Sequence, residues 1–269
     1  MSRLLISVAA AALMSSAALA ADIPAFEPAP VLAPVPVGYD WSGFYVGING
    51  GYGWADGDVS LDFDSAGTDF FDACLAAGCV SDGFDYDVEG FLIGGHAGFN
   101  WQAGALVLGL EGDIDYSDMD GGGSEVVEVP LFAATEVSAD TDYSFFGTFR
   151  GRLGVAWDRV LVYGTGGFAF AEIENSVSIL SDLDQDFAGS EEDTEFGWTG
   201  GGGVEVAVTD NVTIGAEALY FDLGDSEVEL DPIGGFDPPG DAGVSADFEN
   251  TGLIARGRVS VKFNGIFGG

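Results

Sequence analysis

Eight stretches of the chain alternate apolar with polar or small residues at a period of two, the signature of a β-strand. They run approximately over 44–54, 91–101, 106–116, 143–157, 160–171, 197–208, 212–223 and 251–263. Each is long enough to cross the apolar band of an outer membrane when tilted, for which about 9–11 residues suffice. Short and long connections take turns between them. "QAGA" after Trp101, "DR" after Trp157 and "TDN" after Val208 are hairpin-sized, whereas the others cover approximately 55–90, 117–142, 172–196 and 222–249.

Charge sharpens this picture. The four long connections hold 35 of the 45 acidic residues and no lysine or arginine, so the negative charge gathers at one end of the strand array. Within the strands the few charges share one parity. Arg150 and Arg152 alternate with Phe149, Gly151 and Leu153, and Glu111, Asp113 and Asp115 alternate with Leu110, Gly112 and Ile114. Glu205 stands between Val204 and Val206, Glu217 between Ala216 and Ala218, and Arg256, Arg258 and Lys262 alternate with Gly257, Val259 and Val261. A charge facing hydrocarbon at mid-depth costs roughly 2–4 kcal/mol, so these ten charges are predicted to face a lumen. A soluble barrel of the lipocalin type would turn its apolar parity inward instead. Counted from the short-turn end, Glu111 and Arg152 lie five residues up their strands, Asp113 and Arg150 seven, and Glu217 and Arg258 five, so opposite charges are predicted at similar heights.

The remaining segments fix compartment and chemistry. "MSRLLISVAAAALMSSAALA", residues 1–20, has the charged start, apolar middle and small-residue end of a secretory signal peptide. Residues 21–40 hold six of the nine prolines without a hydrophobic period and read as a periplasmic tether. Cys74 and Cys79, in "CLAAGC", are expected to form a local disulfide in an oxidising compartment. With six basic residues against 45 acidic ones after the leader, the chain would repel nucleic acid. The aspartate-rich connections suit Ca2+ or Mg2+ only loosely, for no stretch has the ligand spacing of a calcium loop. His96, the one histidine, shares the inward parity of Gly94 and Asn100 and reads as a polar core residue. "GTGGF" and "GWTGGGGV" lie inside strands and precede no helix, which speaks against phosphate binding. No catalytic constellation emerges, and the chain is expected not to be an enzyme and to hold no cofactor.

"WSGFYVGINGGYGWA", "GTFRGRLGVAWDRVLVYGTGGFAFAE" and "GWTGGGGVEVAVTDNVTIGAEALYFDLG" together resemble the Omp25/Omp31-like small outer-membrane barrels of alphaproteobacteria. The resemblance spans the chain after residue 20 and is weakest in the long connections. It implies an OmpA-like barrel in a Gram-negative outer membrane, with envelope-integrity and surface roles and, in some members, haem binding or pore activity. Members commonly carry arginines on the inner face of the seventh strand, where this chain has Gly215 and Leu219, so the resemblance implies a smaller lumen network here. They also end on an aromatic residue that helps assembly, a part open to Phe263 or Phe267.

The prediction is an all-β, eight-stranded antiparallel up-and-down transmembrane β-barrel over residues 41–269, monomeric, with four acidic extracellular loops. Its partners would be outer-membrane lipid, lipopolysaccharide and divalent cations. Its expected role is structural, with a narrow porin and a surface ligand binder or adhesin as alternatives.

Overall fold

The structure, a computed structural model, describes residues 38–64, 83–127, 135–181, 186–233 and 243–263. The expected signal peptide, most of the expected tether, Cys74, Cys79 and Phe267 lie outside the described residues. Eight strands follow in order: β1 Gly43–Asp64, β2 Gly83–Ala103, β3 Leu106–Val127, β4 Thr135–Trp157, β5 Val160–Ser181, β6 Asp186–Ala207, β7 Val212–Ile233 and β8 Gly243–Phe263. Each pairs antiparallel with its neighbours in sequence, and β1 pairs with β8, which closes the barrel. Closure leaves no strand edge facing lipid.

The strands are 21 to 23 residues long, about twice the predicted length. Much of what reads as long acidic loop is strand. The extra turns of alternation obey the opposite polarity, which is why a search for outward apolar residues stops short of them. In β1, Val46 and Ile48 face outward, whereas further up Val59 and Leu61 are buried and Asp56 and Asp62 are exposed. β2 behaves alike, with Phe91 and Ile93 exposed below but Tyr86 and Val88 buried above, between the exposed Asp85, Asp87 and Glu89. A strand of about 22 residues spans roughly 70 Å, and only about 25 Å of that is needed for the apolar band. The barrel is therefore inside-out where it meets lipid and ordinary where it meets water.

Exposed aromatics mark the boundaries. Trp54, Phe91, Tyr116, Phe145, Phe168, Phe196, Trp198 and Tyr220 ring the barrel at one level, and Phe44, Phe99, Trp101, Trp157 and Phe263 ring it near the short turns. Such girdles sit at the two membrane interfaces. Of four register irregularities, three are short and fall near the upper girdle, between Tyr116 and Met119, between Tyr143 and Phe145, and between Asp222 and Asp225, and the fourth runs from Ala188 to Trp198. In β4 the extra residue reverses parity, so Tyr143 and Phe146 are both buried. In β7 the step passes through Gly224, whose φ of 82° favours glycine.

The interior stacks in three layers. At the short-turn end Tyr39, Trp41, Val107, Ala156, Leu161, Tyr163 and Ala207 form a small apolar cluster. Tyr39, from the last residues of the expected tether, is thus packed into the barrel mouth: Trp41 donates from its backbone N to Gln102 Oε1 at 2.7 Å and from Nε1 to Asp158 O at 3.3 Å. The middle layer is ionic. Above it lies a large apolar core including Val59, Val88, Val137, Phe146, Ile173, Phe221, Val228 and Phe248.

Candidate functional site

The ionic layer is built by β3, β4, β6, β7 and β8, whose inward parity at this height carries the charges. Arg150, with no exposed surface, sends Nη2 to Glu111 Oε1 at 2.9 Å and to Asp113 Oδ2 at 2.8 Å, and its Nη1 is 3.2 Å from Glu217 Oε2. Its Nε donates to Thr148 Oγ1, which donates in turn to Asp113 Oδ2 at 2.6 Å. Arg256 reaches Asp115 at 2.7 Å, Asp113 at 3.0 Å and Glu217 at 2.9 Å. Arg152 binds Glu205 at 2.8 Å and Glu111 at 3.3 Å, and its guanidinium lies 4.0 Å above the Tyr163 ring. Arg258 contacts Glu111, Glu217 and Glu205. Four guanidiniums and five carboxylates are thereby interlocked. The planar fork of arginine serves two or three acids at once, which the single ammonium of lysine would not do as well.

Nine of the ten predicted lumen charges meet in this cluster. The tenth, Lys262, is buried but stands apart at the mouth, bonded to Asp40 O with its ammonium 4.3 Å from the Tyr39 ring centroid. The heights also differ from the count along the strands. Glu111 lies beside Arg150 rather than Arg152, and Glu217 beside Arg256 rather than Arg258. A tilted barrel staggers neighbouring strands, and here each offset is two residues.

Several members of the network escaped the sequence reading. Tyr45 Oη donates to Glu111 Oε2 at 2.7 Å and accepts from Arg152, and Tyr163 does the same between Glu217 and Arg258. Both tyrosines sit on the inward parity of strands without inward charge, so position alone could have flagged them. Asn49 donates to Asp115 Oδ1 and accepts from His96 Nδ1, while His96 Nε2 faces Ser260 Oγ at 2.8 Å. With both ring nitrogens engaged, His96 is a hydrogen-bonded core residue.

The model of the outer membrane protein beta-barrel domain matches residues 6–253. This chain belongs to that family. It is 37% identical to the 31 kDa outer-membrane immunogenic protein of Brucella melitensis over 225 residues, 80% of this chain and 84% of the relative. It is 32% identical over 201 residues to the 22 kDa outer membrane protein of Rhizobium leguminosarum bv. viciae, 74% of this chain and 72% of the relative. Among solved structures, OprG from Pseudomonas aeruginosa is similar with a TM-score of 0.47 and 13% identity, covering 85% of this chain and 99% of that one. The protein is thus an outer-membrane β-barrel of a Gram-negative bacterium, and the short-turn end of such barrels faces the periplasm.

On this outer-membrane barrel the wall above the upper girdle carries directly opposed carboxylates, among them Asp56 and Asp87, Asp58 and Asp85, Asp120 and Asp142, and Glu174 and Glu192. Like charges in register repel. A hydrogen bond shared with Asp85, followed by burial, raises the pKa of Asp58, and one shared with Asp193 raises that of Glu191. Raised folded-state values mean that the folded wall binds more protons than the unfolded chain, so stability falls as pH rises through them. Urea unfolding midpoints are expected to rise as the pH is lowered from about 7 to about 5, in a window above ordinary carboxylate values near 4. Asp58→Asn should flatten part of that slope; a midpoint unchanged across the window would show that the wall carries no repulsive strain.

Proposed function

We propose that this barrel is a closed structural element of the outer membrane, holding envelope and surface together without conducting solutes or catalysing a reaction. The observation that carries this reading is the stack of filled layers: an ionic cluster whose members are at most 7% exposed, capped on one side by Tyr39 and Trp41 and on the other by an apolar core. An eight-stranded barrel is just narrow enough for its own side chains to fill. The ionic layer suits such a role because its charges are paired internally, each guanidinium contacting at least two carboxylates.

Planar-bilayer recordings of the refolded protein are expected to show no reproducible channel steps. The porin reading predicts steady conductance that changes with Arg150 or Arg256, and its appearance would displace the closed-barrel reading. The acidic wall above the upper girdle would face the headgroup region, where Ca2+ or Mg2+ can bridge its carboxylates to anionic lipopolysaccharide. Opposed pairs such as Asp120 and Asp142 favour that partnership, since a cation between them relieves their repulsion. Adding Mg2+ should raise the unfolding midpoint in lipopolysaccharide-containing vesicles.

A further inference from the structure

β6 breaks the polarity rule of the wall above the upper girdle at three successive inward positions. On the inward parity of β6, where other strands place residues such as Val59, Val88, Val137, Ile173, Val228 and Phe248, stand Glu191, Asp193 and Glu195. Three carboxylates cannot enter an apolar core without partners. The wall responds by separating. β6 pairs with β7 at Trp198↔Asp222 and again at Ala188↔Asp231, but no residue between Ala188 and Trp198 pairs with β7. The same stretch stays paired to β5 on its other side, from Val177↔Gly189 to Ala169↔Gly197. Behind it β5 and β7 meet directly, Asn175 Nδ2 donating to Ser226 Oγ at 3.0 Å. A cavity of about 150 Å³ opens between β6 and β7, with Glu191, Asp193 and Glu195 on one lip and Asp225 and Glu227 on the other.

A strand edge left without a partner beside a carboxylate-lined cavity is a template for another strand. β2 and β3 also part, above Glu89↔Asp120, but no such row of inward carboxylates lines that seam. We propose that this edge of β6, residues 190–196, receives an extended cationic peptide segment of another protein by strand addition. Main-chain bonds would come from the unpaired edge, and alternate lysine or arginine side chains would meet the inward row of carboxylates. Charge complementarity selects the occupant. The chain itself cannot supply it after residue 40: of its six basic residues there, five are buried in the lumen, and Arg159 is bound to Asp210 near the short turns. A second copy would present the same acidic wall. A divalent metal is a poorer fit, since among the described residues no three acidic, histidine or cysteine groups converge closely enough to hold one.

The test uses the full refolded barrel and a synthetic nine-residue peptide of alternating lysine and valine. Hydrogen exchange is expected to slow at the amides of residues 190–196 on peptide binding, with the β2 and β3 amides unchanged. Glu191→Gln, Asp193→Asn and Glu195→Gln together should weaken binding at least about tenfold, whereas Asp87→Asn, Glu89→Gln and Asp118→Asn, the same charge change on the far wall, should weaken it by less than about twofold. Equal losses from the two triple variants would reduce the effect to general attraction by a polyanion and overturn the proposal. So would undiminished binding of an equally charged peptide with prolines in place of the valines, or full competition by spermine. Because the exchange measurement is made on the unaltered protein, the proposal stays open to refutation even if the first triple variant misfolds.

Discussion

Arg150→Met is expected to lower the unfolding free energy by about 3–5 kcal/mol, measured by urea titration of the barrel refolded into lipid vesicles. Arg150 is the keystone of the ionic layer by geometry: it touches Glu111, Asp113 and Glu217 and has no exposed surface. Methionine fills a similar volume, so the loss reads chiefly as uncompensated negative charge rather than as a cavity. Adding Glu217→Gln to the same chain should recover part of the loss, because one orphaned carboxylate is then removed. Arg159→Met makes a useful contrast. Its partner Asp210 is largely exposed, and surface pairs contribute about 0–1 kcal/mol. Equal effects of the two methionine variants would mean that the lumen is wet and its charges are screened by water, which would also reopen the porin reading.

That the charges face inward was legible from Arg150, Arg152, Glu111 and Asp113 alone, because hydrocarbon penalises the alternative so heavily. The number of strands was legible for the same reason, each having an apolar parity to declare itself. Strand length was not. Above the girdle the apolar residues change sides, as between Ile48 and Val59 in β1, and a rule written for lipid reads water-facing strand as loop. The pairing of Glu111 with Arg150 was hidden in the shear of the barrel, which no single strand encodes. Lys262 obeyed the parity rule yet missed the cluster, since parity reports a face and not a height; its ammonium serves the mouth, where Tyr39 and Asp40 fold in. The parting of β6 from β7 was foreshadowed by "EEDTE", in which every inward position is acidic, but seeing it required knowing that strand continues there.

The polarity switch makes the second large prediction, since it assigns opposite fates to two phenylalanines near the upper girdle. Phe221 points inward with no exposed surface, its ring centroid 5.1 Å from that of Phe146 and 6.3 Å from that of Tyr143. Gly252 lets it fit: a β-carbon there would come within 2.6 Å of the Phe221 ring. Phe221→Ala should therefore cost about 3–5 kcal/mol, combining lost burial with a cavity that a closed, paired wall cannot collapse to fill. Phe196 points outward and is 72% exposed. Lipid replaces most of what alanine removes there, so Phe196→Ala should cost clearly less in the same vesicle titration. Comparable losses at both positions would contradict an apolar core inside the barrel above the upper girdle. Conductance of Phe221→Ala adds a separate reading: the channel should stay shut, because the Arg150 and Arg256 layer beneath remains complete. If emptying the upper core alone opened a pore, the seal would lie in that core and the ionic layer would be a passage rather than a plug.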